Sequence, residues 1–307
     1  MNNKNNLLSK SGYATSELAK KFIYSDTNEK IKTVTEYSKE IGVSRGTIQN
    51  SIKYLIDNKL INLLSRGQLG TFIIEKDIIG LFKIAGINFI IGSMPLPYSK
   101  RYEGLSTAII QSIENNIKIP INMTYMRGSK NRINMVLNGR YDFTITSKFA
   151  ALRFIQDNPD LIIAKELKHQ SFLSKHVLMF KNPNFKTIED GMTAGIDSDS
   201  LDQETLTYLL CKDKNVNIKK ISYNQLVENL ESGKIDFAVW NGDELKDKYN
   251  QIITKDLDVD DSINTIAVII VHKDNILIKK IIEDFIDIEF VEEIQNKVIN
   301  NIIIPSY

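Results

Sequence analysis

Side chains that can read DNA are concentrated in one stretch near the beginning of the 307-residue sequence. From residue 45 to about residue 58, apolar residues follow the spacing of one helix face, at Ile48, Ile52, Leu55 and Ile56. The opposite face carries polar side chains that can reach base edges and phosphates in a major groove, namely Arg45, Thr47, Gln49, Asn50 and Lys53. Ser44 precedes this helix as a natural N-cap and is a further candidate DNA contact.

Two more helices and a hairpin are predicted to position this recognition helix. Thr15-Ser16-Glu17 is typical of a helix start, and residues 35–41 predict a second helix that Gly42 ends in a left-handed conformation. Strands over 60–64 and 71–75 flank a glycine-punctuated turn with Arg66 and Gln68 at its tip. A helix-turn-helix followed at once by such a hairpin is a winged arrangement, in which the wing tip contacts DNA.

The sequences Val43-Ser44-Arg45-Gly46-Thr47-Ile48-Gln49 and Gly67-Gln68-Leu69-Gly70-Thr71-Phe72 resemble the GntR-type DNA-binding domain. The resemblance implies DNA contacts by Arg45 and Arg66, and by position also by Thr47 and Gln49. Residues 1–76 hold 12 Lys and Arg against 7 Asp and Glu, whereas the remainder holds 27 against 31. A basic head favours double-stranded DNA as the partner. Winged helices also bind RNA or proteins, and those alternatives remain open.

A repeated sequence unit organises the second part of the chain. Residues 132–145 and 226–239 each combine an amphipathic helix, a glycine, a basic residue and an Asp-Phe pair that opens a strand. Strands and helices alternate around both copies, which favours parallel βαβ units in two similar lobes. Asp142 and Asp236 of the two copies are expected to have structural roles. The predicted domains are 1–76, a partly helical linker over 77–86, and 87–307.

The predicted first lobe spans about 87–170 and 264–307, and the second about 171–263. The helix–Gly–basic–Asp–strand unit is similar to that of two-lobed periplasmic-binding-protein-like domains, which also serve LysR-type regulators. Taken whole, the chain resembles the YhfZ-like transcription regulators, through Gly92-Ser93-Met94-Pro95-Leu96-Pro97-Tyr98, Tyr102-Glu103-Gly104-Leu105, the Asp-Phe units and Gly195-Ile196-Asp197. The resemblance implies a multidomain α/β chain: a winged helix-turn-helix and a two-lobed type II periplasmic-binding-protein-like domain.

Ligands of open α/β sheets lie beyond the carboxyl ends of strands, at helix N-termini. This rule nominates Ser93, Pro97, Tyr98, Arg101, Arg127, Ser129, Thr146 and Ser147 in the first lobe, and Asp197, Ser198, Trp240 and Asn241 in the second. Arg127 and the free N–H groups near Ser129 can hold a carboxylate or phosphate. Trp240 can stack on a flat ligand. Arg127 can equally form a surface salt bridge, and Trp240 can equally pack between the lobes.

Catalytic and metal-binding motifs are absent from the sequence, so we expect no catalytic residue, no metal and no cofactor. One cysteine excludes an intramolecular disulfide, and no apolar run is long enough for a membrane span or a signal peptide. The expectation is a cytoplasmic homodimer that binds DNA and responds to a small effector, for which an anion is a candidate. Three alternatives stay open: an enzyme acting on a small anionic metabolite, a transported-solute receptor, and a DNA-bound scaffold with a vestigial cleft.

Overall fold

The computed structural model describes residues 9–185, 187–248 and 252–307, so the first eight residues of the predicted DNA-binding domain lie outside the described part. The chain divides into two compact units, one of Met1–Ile90 with Ile117–Pro120 and one of Ile91–Asn116 with Ile121–Tyr307. The elements of the first unit are α1 (Lys10–Tyr24), α2 (Val34–Ile41), α3 (Arg45–Asp57), β1 (Ile61–Ser65), β2 (Thr71–Lys76) and α4 (Ile78–Ile84).

The turn between α2 and α3 follows the sequence prediction. Gly42 ends α2 with a φ of 77°, and the Ser44 hydroxyl accepts a hydrogen bond from the Thr47 N–H at 3.2 Å to begin α3. The inward face of α3 needs one correction, because Ser51 is buried and Ile56 is exposed. Ser51 accepts a hydrogen bond from the Thr15 hydroxyl at 3.0 Å, and this pairing satisfies both polar groups inside the packed helices.

The start of one helix in the first unit also differs from the prediction. Helix α1 begins at Lys10 rather than near Thr15, because Ser9 caps it through a hydrogen bond from the Gly12 N–H. The sequence predicts a partly helical linker over residues 77–86. Most of them form α4, which packs on α1 and buries Leu81 and Phe82.

The second unit contains two five-stranded sheets, one per lobe. The first has the order β4-β3-β5-β12-β6 and the second β11-β7-β10-β8-β9. The strands are β3 (Ile90–Met94), β4 (Ile121–Tyr125), β5 (Phe143–Ser147), β6 (Leu161–Glu166), β7 (His176–Phe180), β8 (Thr193–Ile196), β9 (Asn217–Lys220), β10 (Phe237–Asn241), β11 (Thr254–Asp256) and β12 (Ala267–His272). The helices are α5 (Lys100–Ile117), α6 (Ser129–Leu137), α7 (Lys148–Asp157), α8 (Leu201–Leu210), α9 (Leu226–Glu231), α10 (Gly242–Lys248), α11 (Ile276–Phe285) and α12 (Ile288–Ile299).

Both sheets are mixed rather than parallel, which corrects part of the sequence prediction. β3 runs parallel to β5, and β8 runs parallel to β9 and β10. β12 is antiparallel to β5 and β6, and β7 is antiparallel to β10 and β11. Two parallel strands need a crossover connection, such as a helix, between them. β7 and β12 each come directly after a segment in which the chain passes from one lobe to the other, and both pair antiparallel with their neighbours.

The repeated sequence unit forms the same local structure in each lobe. Gly139 and Gly233 end α6 and α9 with φ values of 63° and 73°. The Asp142 carboxylate accepts a hydrogen bond from the Ile91 N–H at 2.8 Å, and the Asp236 carboxylate accepts one from the Thr193 N–H at 2.8 Å. Each aspartate therefore joins the start of its own strand to the neighbouring strand. The expected structural role of both aspartates is confirmed.

Candidate functional site

The polar face of α3 is open to solvent in the first unit. Ser44, Arg45, Gln49, Asn50 and Lys53 are exposed, and Thr47 is half-buried. The Ser44 and Thr47 hydroxyls lie 2.8 Å apart. The buried face, represented by Ile48 and Leu55, anchors the helix, so the polar face is available to a macromolecule.

The wing presents a second basic element of the first unit. Its tip is a 3-10 turn over Gly67–Leu69, and Arg66 and Gln68 are both exposed. The Arg66 guanidinium carbon lies 4.7 Å from the centre of the Phe72 ring, a cation–π contact that holds the arginine against the hairpin. The wing therefore offers a positioned positive charge.

A cleft lies between the two lobes of the second unit, beyond the carboxyl ends of β3, β4, β5, β8 and β10. Its empty volume is about 660 Å³ with the mouth included. It is lined by Pro95, Leu96, Tyr98, Tyr102, Arg127, Gly128, Ser129, Arg132, Thr146, Phe172, Leu173, His176, Asp197, Ser200, Asp202, Gln203, Tyr223, Trp240 and Asn241.

The structure brings seven of the nominated ligand residues to this cleft: Tyr98, Arg127, Ser129, Thr146, Asp197, Trp240 and Asn241. It does not bring Ser93, Pro97, Arg101, Ser147 or Ser198 there. Ser93 is buried inside the sheet, where its hydroxyl donates to Thr144 at 2.9 Å. Arg101 is ion-paired with Asp243 at 3.0 Å. Ser198 faces solvent, and Pro97 lies beside the lining without joining it.

Ser147 lies behind the cleft and orients a lining residue. Its hydroxyl accepts a hydrogen bond from the Ala150 N–H as the N-cap of α7, and it donates to the Asp202 carboxylate at 2.7 Å. The Asn264 side-chain amide donates to the same carboxylate at 2.6 Å. Asp202 is thus fixed by two donors from the other lobe.

Arg127, nominated to hold an anion, is already neutralised in the structure. Its guanidinium lies 3.1 Å from the Asp199 carboxylate and 3.6 Å from that of Asp197. Asp197 is 3% exposed and also accepts hydrogen bonds from the backbone N–H groups of Asp199 and Tyr223. Arg127 therefore ties the first lobe to the second rather than presenting a free positive charge.

Arg132, on α6, is the cationic residue that the sequence argument missed. It is 3% exposed and lines the cleft. One of its terminal nitrogens donates to the Met126 carbonyl at 2.8 Å, while its Nε has no hydrogen-bond partner. It forms no ion pair within residues 9–185, 187–248 and 252–307. Burial lowers the pKa of Arg132 to about 10, so the guanidinium stays charged at neutral pH.

Unpartnered polar atoms converge on the cleft. Within the described residues, five buried side-chain atoms lack a hydrogen bond, and four of them belong to Ser129, Arg132, Thr146 and Trp240, which line it. Each buried polar group without a partner costs about 1–3 kcal/mol. Such groups call for a specific explanation, such as a bound molecule. Four of the five unpartnered atoms in the described part of the chain therefore belong to residues that line one cleft.

An aromatic wall closes the second-lobe side of the cleft. The Trp240 and Tyr223 rings stack with centroids 4.0 Å apart, and the Tyr98 ring lies 5.7 Å from that of Tyr223. The Tyr223 hydroxyl donates to Glu244 at 3.1 Å, and burial raises the pKa of that carboxyl to about 7. Burial also raises the pKa of Tyr223 well above its usual value. The wall can pack against an apolar or flat group.

Arg132, Asp202 and Tyr223 are the main site residues absent from the sequence prediction. Arg132 had a usable signal, since it follows the nominated Ser129 by three residues and shares its helix face. Asp202 had a weaker signal, in the first turn of α8. Tyr223 begins a short 3-10 turn after β9 and had no such signal. No group of His, Cys, Asp and Glu in the described part of the chain could hold a metal ion, and none of its helices is long and apolar enough to cross a membrane.

Comparisons with known proteins place both parts of the chain. The family model for the YhfZ C-terminal domain matches residues 77–307, and a model described as a helix-turn-helix domain matches residues 27–73. The protein YhfZ of Escherichia coli (strain K12) is 27% identical over 234 residues, covering 76% of this chain and 75% of that protein.

Solved structures agree with this assignment. The crystal structure of YhfZ from Shigella flexneri has a TM-score of 0.62 at 27% identity, covering 75% of this chain and 97% of that one. The substrate binding protein of a methionine transporter from Streptococcus pneumoniae has a TM-score of 0.53 at 15% identity, covering 72% and 96%, which shows a shared binding-protein-like fold. The chain belongs to the YhfZ C-terminal domain family and joins that domain to a helix-turn-helix domain, the make-up of a DNA-binding regulator.

Proposed function

We propose that this protein is a transcription regulator that binds an operator through α3 and the wing and takes a small-molecule effector in the interlobe cleft. The observation that carries the proposal is the exposed polar face of α3, on which Arg45 and Lys53 form no ion pair among the described residues and Gln49 is exposed. An exposed helix of this kind, capped at its N-terminus and followed by a basic wing, is suited to a major groove. The GntR-type resemblance implies that Arg45, at the start of α3, contacts DNA.

The effector role rests on the unpartnered groups of the cleft. A ligand that contacts both lobes favours the arrangement in which they are close, and it shifts the population toward that arrangement by its differential affinity. For the protein to act as a regulator, this population shift must change its affinity for the operator. By thermodynamic linkage, operator binding then changes the affinity for the effector by the same factor. We further propose a homodimer on a two-fold-related operator, because helix-turn-helix proteins read paired half-sites.

Operator selection from random duplexes, followed by footprinting, tests the DNA-binding part. Replacing Arg45 with Ala is expected to weaken specific binding by about 1–3 kcal/mol, the value of one good base contact. Lys53→Ala is expected to weaken binding to all sequences and to reduce the salt slope by about one. Arg140→Ala, an exposed arginine of the second unit, is the matched control. An Arg45→Ala footprint identical to that of the unaltered protein contradicts the assigned recognition helix.

Two measurements test the effector and dimer parts. A thermal-shift screen of small acids, amines and phosphorylated metabolites is expected to give a stabilising compound, and that compound is expected to change operator affinity. Sedimentation with the selected duplex gives the stoichiometry. A stabilising compound that leaves operator affinity unchanged contradicts the regulatory role, and one protomer per operator contradicts the dimer.

A further inference from the structure

The N-terminus of α6 forms one polar corner of the cleft. Gly128 precedes the helix with a φ of 79°, and no side chain caps the first turn. An added Cβ at Gly128 would lie 2.9 Å from the Asp199 side chain, so the backbone here is confined to glycine. The free N–H groups of a helix start attract negative charge.

Three buried donors without partners surround this corner. They are the Ser129 hydroxyl, the Arg132 Nε and the Thr146 hydroxyl, and all three residues line the cleft and are more than nine-tenths buried. Ser129 and Arg132 lie on one face of α6, whereas Thr146 comes from the end of β5. Hydroxyls and a guanidinium on two elements form a polar corner that the protein's own groups leave unfilled.

The charges around the corner disfavour a ligand that carries more than one negative charge. Arg127 is shared by the two carboxylates of Asp197 and Asp199, so these three groups together carry one negative charge and add no attraction for an anion. Arg132 is the lining cation without an ion pair in the described part of the chain. A dianion such as a phosphate monoester would also face the carboxylates of Asp197 and Asp202, which line the same cleft. A planar carboxylate matches the fork of the guanidinium and carries a single charge.

The remainder of the cleft favours an apolar group on the ligand. Leu96, Phe172 and Leu173 line it together with the aromatic wall of Tyr98, Tyr223 and Trp240. Apolar lining with a few converging polar groups is the usual form of a site that orients a small molecule.

We propose that the effector is a small monocarboxylate with an apolar group, whose carboxylate binds Arg132, Ser129 and Thr146 while the apolar group packs against the aromatic wall. This inference rests on the proposed effector role of the cleft. Free carboxylic acids and α-amino acids share the required chemistry, and the experiment separates them.

Titration calorimetry on the full chain tests the proposal with matched probes. The carboxylates are benzoate, phenylacetate, L-leucine and L-phenylalanine, each paired with its primary amide, and phenyl phosphate is the dianion. At least one carboxylate is expected to bind roughly tenfold or more tightly than its amide and than phenyl phosphate. Binding by phenylacetate but not L-phenylalanine identifies a simple acid, and the reverse identifies an α-amino acid; either result supports the proposal.

Variants locate the carboxylate on α6. Arg132→Gln is expected to weaken carboxylate binding by roughly tenfold or more and to leave amide binding unchanged. Because Arg132 is buried, Thr146→Val provides a nearly isosteric second variant that removes one donor and is expected to weaken only carboxylate binding. Arg140→Gln is the control for loss of an exposed arginine. Unchanged carboxylate affinity in folded Thr146→Val and Arg132→Gln proteins overturns the assignment.

The remaining outcomes distinguish this inference from the proposed function. Equal affinity for acids and amides, or tighter binding of phenyl phosphate, overturns the monocarboxylate and leaves the cleft a binding site. Operator binding with no heat from any probe also overturns the monocarboxylate but leaves the DNA-binding role standing. Failure of both operator binding and every probe overturns the inference and the proposed function together.

Discussion

The buried carboxyl of Glu244 is expected to make the stability of the second lobe depend on pH. Its side chain lies behind the aromatic wall, is 4% exposed and accepts a hydrogen bond from the Tyr223 hydroxyl. Burial raises the pKa of the carboxyl from 4.5 to about 7, against the opposing effects of Lys248 and of the Tyr223 hydrogen bond. The nearby Asp247 acts in the same direction as burial.

The magnitude and sign follow from proton linkage. The folded protein holds this proton more tightly than the unfolded chain does, so the contribution of Glu244 to the free energy of unfolding is highest below about pH 4.5. It falls as the pH rises through about 7. At about 1.4 kcal/mol for each pKa unit, the full loss is about 3 kcal/mol, and most of it occurs between about pH 5 and pH 8.

Glu244→Gln isolates this contribution, because glutamine stays neutral and still accepts from Tyr223. The assay is urea unfolding followed by the fluorescence of Trp240, the only tryptophan and a stacking partner of Tyr223. The stability of Glu244→Gln relative to the unaltered protein is expected to rise by about 2–3 kcal/mol between pH 5 and pH 8. Glu228→Gln, an exposed glutamate of the same lobe, is the control. A difference between the two proteins that does not vary with pH refutes the reasoning.

Two glycine substitutions are predicted to have opposite signs. Gly139→Ala is expected to destabilise the second unit by about 1–2 kcal/mol, because alanine is strained at the φ of 63° found there. An added Cβ would have no neighbour within 4 Å, so no new packing contact offsets that strain. Gly46→Ala is expected to stabilise the first unit by about 0.5–1 kcal/mol, because the position is helical and its nearest contact for a Cβ is the Ser44 hydroxyl at 3.9 Å. Thermal unfolding by circular dichroism checks both, and a common sign would contradict the conformational argument.

Local sequence signals predicted the elements that depend on neighbouring residues. The Gly42 turn, the Ser44 cap and the repeated Asp142 and Asp236 units are each decided within a few residues or by one adjacent strand. The start of α1 was misplaced because Thr15 also has the character of a cap. Its hydroxyl instead bonds Ser51, 36 residues away, and no short-range pattern reveals that pairing.

The expectation that ligands lie beyond the carboxyl ends of strands pointed to the cleft, but it did not show which side chains there face inward. Ser93 and Thr146 both lie at strand ends, yet Ser93 bonds Thr144 inside the sheet while Thr146 lines the cleft. Arg127 lies just before the start of α6 and Arg132 lies in its first turn, so the sequence does not show which of the two is ion-paired. The difference comes from Asp197 and Asp199, which reach Arg127 from the other lobe and leave Arg132 unpaired.

The two lobes share one repeated scaffold but supply different chemistry to the cleft. The first lobe contributes Arg132, the two unpartnered hydroxyls and Tyr98, whereas the second contributes Asp202 and the stacked rings of Tyr223 and Trp240. The aspartates of the repeat hold strand edges and do not line the cleft, so the repetition conserves architecture and leaves the cleft side chains free to differ. A ligand with one carboxylate and one apolar end must then contact both lobes at once. That requirement couples occupancy of the cleft to the distance between the lobes, because the carboxylate donors and the stacked rings of Tyr223 and Trp240 belong to different lobes.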